Sequence, residues 1–231
     1  NYHFKRPWGL PVRYHDFNNL LTKSNPDFLE FHLSYKDLEV NPESYIKQSY
    51  DLDIVVHCPE LFKGDHLLDL CALDKEYRQR SISELQRVID YTCKLKSFFS
   101  KTKRPFIVTN VGGFSQNEWF AEQEKIQLNE ILADSLSQLN QDDVEILPQT
   151  MPPFPWHFGG QAFHNVFIHS EDIIKFCKDY GYRVCLDISH SKLASTHFKS
   201  SFKEFVDLVG PYTAHLHIVD AKGVDGEGIQ I

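Results

Sequence analysis

The sequence predicts an α/β protein in the form of a (β/α)8 TIM-type barrel. Seven short apolar or β-branched runs alternate with amphipathic segments, and no nucleotide-type glycine-rich turn follows the first run. Alternating strands and helices form right-handed βαβ units with a parallel sheet. Seven such strands in 231 residues fit a barrel better than an open sheet. No eighth strand is recognisable before Ile231, so that strand is expected to be missing or irregular.

The seven predicted strands are short and enriched in apolar, β-branched and aromatic side chains. They span residues 12–16, 28–32, 53–57, 106–110, 144–147, 183–187 and 213–218.

Helices are predicted between the strands, where apolar residues return every three or four positions. Two long helices carry such a face, at Ile82, Leu85, Val88, Ile89, Leu95 and Phe99 and at Leu128, Ile131, Leu132, Leu136 and Leu139. A last helix over 202–209 ends at Gly210-Pro211. The sequence shows no internal repeat or linker, so a single domain over residues 1–231 is expected. Because it starts at Asn1 rather than at Met, excision from a longer chain is also expected.

The composition excludes several classes of protein. A hydrophobic share of 42% supplies a core, which excludes a disordered chain. No apolar run reaches the roughly 18 residues of a membrane helix. The 24 basic and 32 acidic residues give a net charge of -8, which disfavours nucleic acid as a partner, because that binding depends on phosphate neutralisation. The five cysteines form no C-x-x-C pair, so buried thiols in a reducing compartment, the cytoplasm, are expected.

Polar residues stand at the carboxyl ends of the predicted strands, the edge that forms the active-site mouth of a barrel. They are His15, Asp16, His32, His57, Asn110, Gln149, Asp187, His190, His217 and Asp220. Imidazole and carboxylate groups that converge on one point are the ligand set of a divalent metal ion. Each histidine taken alone is more often an ordinary hydrogen-bonded side chain, and the shared position at strand ends is what favours a site.

The most specific motif is D-I-S-H at positions 187–190. The strand ends on the carboxylate of Asp187, and the chain then turns so that the imidazole of His190 returns to the same place. His215 and His217 follow on the next strand, where alternation puts both on one face. One of these two is expected to be a metal ligand and the other a residue of the barrel layer behind it.

Four segments resemble the xylose isomerase-like barrel superfamily, which includes sugar and sugar-phosphate isomerases and epimerases and the apurinic endonuclease family 2 nucleases. They are V-H-C-P-E at 56–60, V-G-G at 111–113, L-D-I-S-H at 186–190 and H-L-H-I at 215–218. The segment M-P-P-F-P-W-H-F-G-G at 151–160 is similar to a loop of bacterial isomerase/epimerase branches, some of them fused to sialic-acid-synthase-type enzymes. That similarity implies a synthase domain in the same full-length chain.

The resemblance implies metal ligands at the ends of the fifth to eighth strands, in the order Glu, Asp, His and Glu. Asp187 and His217 match the Asp and the His, and His190 matches a histidine on the substrate side or at a second metal. Gln149 stands where the first glutamate belongs, and the last glutamate has no counterpart on an eighth strand. The ion is expected to be Mn²⁺, Zn²⁺ or Mg²⁺, because one carboxylate and two imidazoles do not select among them.

The function that the resemblance implies is isomerisation or epimerisation of a sugar or sugar phosphate. His190 and Gln149 take the catalytic positions. The expected substrate contacts are His57, Asn110, Trp156 (stacking on the sugar ring) and Lys222 (facing a phosphate).

Gln149 leaves two alternatives open, because a neutral amide cannot act as the carboxylate base of such a reaction. Either Glu60, Asp220 or Glu227 supplies the base, or the domain binds a sugar without catalysis, as an accessory part of a synthase-type protein. The nuclease is disfavoured by the negative charge and by Asn110, which stands where one of the nuclease histidines would be.

Overall fold

The structure, a computed structural model, describes residues 5–157, 160–224 and 226–229, without the side chains of residues 156, 157, 160, 161 and 227–229. Its strands are β1 (Gly9–Val12), β2 (Phe28–His32), β3 (Asp53–His57), β4 (Leu61–Phe62), β5 (His66–Leu67), β6 (Phe106–Thr109), β7 (Phe114–Ser115), β8 (Glu145–Pro148), β9 (Trp156–His157), β10 (Gly160–Gln161), β11 (Phe163–His164), β12 (Val184–Asp187), β13 (Thr213–His217), β14 (Asp220–Lys222) and β15 (Gly226–Ile229). Its α-helices are α1 (Phe17–Lys23), α2 (Lys75–Lys96), α3 (Glu122–Ser137), α4 (Ser170–Tyr180), α5 (Ile188–Phe198) and α6 (Phe202–Val209).

The chain divides into two compact units. Unit 1 comprises Asn1–Leu67, Ser83–Thr109 and Leu139–Ile146, and unit 2 comprises Leu68–Ile82, Asn110–Gln138 and Leu147–Ile231. Two elements, α2 and β8, contribute residues to both units.

Unit 1 is built on a parallel sheet. The strands lie in the order β1-β2-β3-β6-β8, and the pairs β1–β2, β2–β3 and β3–β6 are parallel. β2 and β3 each contain three consecutive buried residues, which is typical of parallel strands covered on both faces.

Aromatic rings fill the core of unit 1. The ring of Phe31 on β2 lies 5.7 Å from that of Phe17 and 5.8 Å from that of Phe99, measured between centroids. The hydroxyls of Tyr14 and Tyr91 share a hydrogen bond of 2.6 Å, so both polar tips are satisfied inside the unit.

The pair β12–β13 organises unit 2 and is parallel with one irregularity. Val184 pairs with Thr213 but Cys185 pairs with His215, so Ala214 is an extra residue in β13. Beyond this bulge the register continues with Leu186 opposite Leu216 and Asp187 opposite His217. On the other side of β12, Gln149 forms a parallel bridge with Cys185, which places the residue after β8 beside the same strand.

The sequence prediction for the first strand is wrong. β1 ends at Val12, so His15 and Asp16 do not stand at a strand end. Asp16 accepts a hydrogen bond from the backbone N–H of Arg13 at 2.7 Å, and this local turn takes the chain out of the strand. His15 is exposed.

Both long helices are shorter than their apolar pattern predicts. α2 ends at Lys96 rather than at Phe99, and α3 ends at Ser137 rather than at Leu139. Backbone bonds to the third preceding carbonyl tighten both ends, as for Phe99 N–H to Lys96 O at 2.9 Å. Phe99 and Leu139 are buried although they lie beyond the ends of the two helices. The apolar pattern therefore reports burial and extends past the helix. The predicted last helix is confirmed as α6.

No helix among the described residues combines the length and the apolar character that crossing a bilayer requires.

Candidate functional site

Asp187 stands at the junction between β12 and α5 in unit 2. It is the last residue of the strand and also the N-cap of the helix, because its side chain accepts the backbone N–H of His190. Asp is among the preferred N-cap residues, so the local chemistry of D-I-S-H is itself sufficient to start a helix. The same arrangement brings a carboxylate and an imidazole together at the end of a buried strand.

The two oxygens of the Asp187 carboxylate have different partners. Oδ1 accepts from the backbone N–H of His190 at 2.9 Å and from the hydroxyl of Ser189 at 2.8 Å. Oδ2 accepts from Nε2 of Gln149 at 3.0 Å and lies 3.4 Å from Nδ1 of His217. One oxygen therefore starts the helix, while the other faces the groups predicted to form a site.

Burial of Asp187 alone would raise the pKa of its carboxyl group. The hydrogen bond with His217 and the charge and backbone N–H of His190 outweigh burial, so the pKa lies below its ordinary value. Asp187 is consequently ionised at neutral pH, as a ligand for a cation must be.

His190 is oriented by the backbone of Thr150. Its Nδ1 lies 2.9 Å from the Thr150 carbonyl oxygen and 3.7 Å from Oδ2 of Asp187, so the carbonyl is its hydrogen-bond partner. A carbonyl only accepts, so Nδ1 carries the proton and the lone pair is on Nε2. Thr150 also accepts the backbone N–H of Asp187 through Oγ1 at 2.9 Å and shares a hydrogen bond with Ser191 at the same distance.

A divalent ion fits the spacing of the three donor groups of Gln149, Asp187 and His217. Nε2 of Gln149 lies 3.1 Å from Nδ1 of His217, and the other two separations are 3.0 and 3.4 Å. With bonds of about 2.1 Å, neighbouring ligand atoms stand about 3.0 Å apart in an octahedron and about 3.4 Å apart in a tetrahedron. The Gln149 amide donates to Asp187 in this structure, so a half-turn of the amide is needed to present Oε1 as a ligand.

The residues predicted to contact substrate have the following neighbours within their own units. His57 is in unit 1, where its ring stacks on that of His32 at 4.6 Å and its Nδ1 lies 3.1 Å from the carbonyl oxygen of Cys58. Asn110 is buried in unit 2 and accepts the backbone N–H of Gly112 at 3.0 Å. Lys222 is exposed on β14, and the side chain of Trp156 lies outside the described residues.

Three carboxylates are predicted as replacements for the missing base. Glu60 and Asp220 are exposed, and the side chain of Glu227 lies outside the described residues. The role of Glu60, Asp220 or Glu227 as the base stays a prediction.

Residues 20–229 match the profile of the xylose isomerase-like TIM barrel family. The chain belongs to the xylose isomerase-like TIM barrel family. The barrel predicted from the sequence is thereby confirmed, as is the superfamily resemblance. A search of curated proteins gives no significant match.

Solved structures with this fold include a sugar epimerase, an epimerase-like protein and an endonuclease. A D-tagatose 3-epimerase-like protein superposes with a TM-score of 0.65 at 20% identity, covering 96% of this chain and 80% of that one. D-psicose 3-epimerase gives a TM-score of 0.60 at 14% identity, covering 93% and 73%. Endonuclease IV from Thermus thermophilus gives 0.57 at 14% identity, covering 94% and 78%. At these identities the similarity establishes the fold alone.

Sequence reasoning missed two polar residues next to the predicted ones. Thr150 follows Gln149; its carbonyl bonds to His190 and its hydroxyl to the backbone N–H of Asp187. The bond to His190 uses the backbone, so the residue type at position 150 does not predict it. Glu30 is buried on β2 of unit 1, with Oε1 3.0 Å from Nε2 of His32. A signal for Glu30 was available, because a charged residue alternates with His32 inside an otherwise apolar strand.

Replacement of Thr150 by valine is expected to weaken the Asp187 group. The variant keeps the carbonyl and the shape but leaves the buried N–H of Asp187 without its acceptor, which costs about 1–3 kcal/mol. Urea denaturation measures this loss. Thr196→Val is the matched control, because Thr196 is exposed and bonds only to its own helix, at Lys192 O. A loss for Thr150→Val no greater than that of the control would show that the Thr150 hydroxyl does not support the site.

Proposed function

We propose that this protein is a sugar or sugar-phosphate isomerase or epimerase that uses a divalent metal ion bound by Asp187 and His217, with His190 either as a third ligand or as the proton acceptor. The observation that carries the proposal is the convergence of Gln149, Asp187 and His217, with donor separations of 3.0, 3.1 and 3.4 Å. Support comes from the family and from neighbours described as sugar 3-epimerases. The ion is Mn²⁺, Zn²⁺ or Mg²⁺.

The proposed reaction moves a proton at the carbon beside a sugar carbonyl. A bound divalent ion supplies stabilisation of the enediolate oxygens. His190 is the proposed proton acceptor: Thr150 holds its Nδ1–H, so its one lone pair is on Nε2, and in this role it takes the substrate proton while Asp187 and His217 hold the ion. Gln149 is neutral, so in this proposal it binds a sugar hydroxyl or completes the ligand set rather than moving a proton.

The remaining predicted residues bind substrate in this proposal. His57 and Asn110 offer hydrogen bonds to hydroxyl groups, Trp156 stacks on the apolar face of the ring, and Lys222 pairs with a phosphate when the substrate carries one. The proposal includes a cytoplasmic location, supported by five cysteines that are all free thiols. It also includes a synthase-type domain in the same polypeptide, supported by the similarity of segment 151–160.

A second candidate function is sugar binding without catalysis. Gln149 favours it, because an amide in place of a carboxylate suits recognition of a hydroxyl group better than proton transfer. The two candidates differ in whether substrate protons exchange with solvent.

Two measurements on the metal-stripped protein test the proposal. Calorimetry with Mn²⁺, Zn²⁺ and Mg²⁺ should show uptake of one ion, and incubation with ketoses and ketose phosphates in deuterium oxide should place deuterium beside the carbonyl. His190→Gln should abolish the exchange while leaving ion uptake measurable. Ion and sugar binding without exchange would favour the binding domain, and no uptake at millimolar ion would overturn the metal site.

A further inference from the structure

A buried carboxylate outside the proposed reaction lies in the loop before α2. Asp69 is only 9% exposed, and its Oδ1 accepts the backbone N–H groups of Gly113 and Cys71, both at 2.9 Å. The backbone N–H groups of Phe114 and Ala72 also bond to this carboxylate. Four backbone donors from two segments of unit 2 therefore converge on one side chain.

The backbone of Gly112 and Gly113 approaches Asp69 closely. Gly112 and Gly113 have φ angles of 84° and 80°, a region that other residues rarely adopt. A Cβ on Gly112 would stand 2.2 Å from Oδ1 and 2.5 Å from Cα of Asp69, so no side chain fits there. The same turn holds Asn110, whose side chain accepts the N–H of Gly112.

Gly113 also connects this turn to the loop that carries His164 and Asn165. Its carbonyl accepts the backbone N–H of Asn165 at 3.1 Å and the Asn165 side-chain amide at 2.9 Å. The Asn165 side chain accepts in turn from the backbone N–H of Phe120 at 2.7 Å. Trp119 Nε1 donates to the carbonyl of His164 at 3.1 Å, which ties the two loops together a second time.

We propose that Asp69 is the positioning residue for both loops, the one that carries Asn110 and the one that carries His164 and Asn165. Asp69 holds the glycine turn, the turn holds Asn165, and Asn165 holds the second loop. This inference stands apart from the proposed reaction, because it concerns which group keeps the loops in place whatever they bind.

Protonation of Asp69 gives the proposal a measurable signature. Burial raises the pKa of this carboxyl to about 6, although the four N–H bonds lower it. If the loops open and water reaches Asp69, the pKa returns to ~4. The closed form then binds the proton more tightly, so closure is favoured at low pH and opening increases by up to about 100-fold between pH 4 and pH 8.

The other groups facing Asp69 do not change charge over this range. Burial holds the pKa of the neighbouring Cys71 thiol well above its ordinary value. From α2, the neutral hydroxyl of Ser81 accepts the Asp69 N–H at 3.0 Å, and the guanidinium of Arg78 donates to the carbonyl of Ala72. Two histidines lie near these loops. His164 is bonded to the carbonyl of Pro152, and the ring of His197 packs on that of Trp119; both remain in the Asp69→Asn variant.

The test is amide hydrogen exchange at Gly113 and Asn165 from pH 4 to pH 8, corrected for the intrinsic chemical rate. In the unmodified protein the corrected exchange should rise by tens of fold, up to about 100-fold, with pH. In Asp69→Asn the same amides should exchange roughly tenfold faster at pH 5, because the side-chain amide nitrogen cannot accept hydrogen bonds from backbone N–H groups. The variant should also lose the pH dependence. Asp134→Asn, an exposed change on α3, should behave like the unmodified protein.

Two outcomes would overturn the proposal. One is a flat corrected profile in the unmodified protein, which decides the question even if Asp69→Asn fails to fold. The other is a pH dependence that survives in Asp69→Asn, which would assign it to the histidines.

Discussion

Asp187→Asn is expected to lower the affinity of the protein for a divalent cation by at least about 100-fold, since even the partners of metal ligands contribute 10–100-fold. The variant removes the only carboxylate among the groups that converge with Gln149 and His217 in the described part of unit 2. Calorimetry on metal-stripped protein measures the change. Unaltered affinity would place the ion elsewhere in the chain.

Stability provides the control for this variant. The pKa of Asp187 is lowered in the folded protein, so ionisation of this carboxyl stabilises the fold. The contribution is complete above about pH 4 and is lost as the pH falls further. Asp187→Asn should therefore be less stable at pH 7, by about 1–3 kcal/mol, and should lose less on acidification. Asp207→Asn, in an exposed pair with Lys203, should change neither affinity nor stability measurably.

Gln149→Glu is expected to have the opposite effect on ion binding and to create or raise catalysis. A second carboxylate 3.0 Å from Asp187 adds a charged ligand when an ion is bound and repulsion when none is. Ion affinity should increase at least tenfold, and thermal stability should fall without the ion and recover with it. If the rest of the site is competent, metal-dependent deuterium exchange into a ketose should rise by ~10²–10⁴-fold, the range of a general base.

The outcomes of the Gln149 variants separate the two candidate functions. No gain in exchange for Gln149→Glu, together with loss of sugar binding, would favour the binding domain. High exchange in the unmodified protein, unaffected by Gln149→Ala, would show that the chemistry lies on another strand. Gln138→Glu, on an exposed position after α3, is the matched control for the added charge.

The sequence was sufficient to predict the barrel fold and the position of four polar side chains at strand ends. Asp187, His190, His217 and Gln149 stand directly at or after strand ends, and parallel strands bring such ends together. The errors lie where local hydrogen bonds decide. The bond from Arg13 N–H to Asp16 ends the first strand early, and no periodicity of apolar residues reports it.

Thr150 and Asp69 could not be predicted for a related reason. Thr150 acts partly through its carbonyl and Asp69 through four backbone N–H groups, and every residue except proline offers these backbone groups. Their importance depends on which loops meet, which only the three-dimensional structure determines.

The extra residue in β13 has an evolutionary consequence. If β13 kept Ala214 but paired without the bulge, Cys185 would face Ala214, and Asp187 would face Leu216 in place of His217. The bulge therefore absorbs one surplus residue and keeps an imidazole, rather than an aliphatic side chain, opposite Asp187. A lineage could thus lose or regain residue 214 by a single-codon deletion or insertion while His217 stays opposite Asp187.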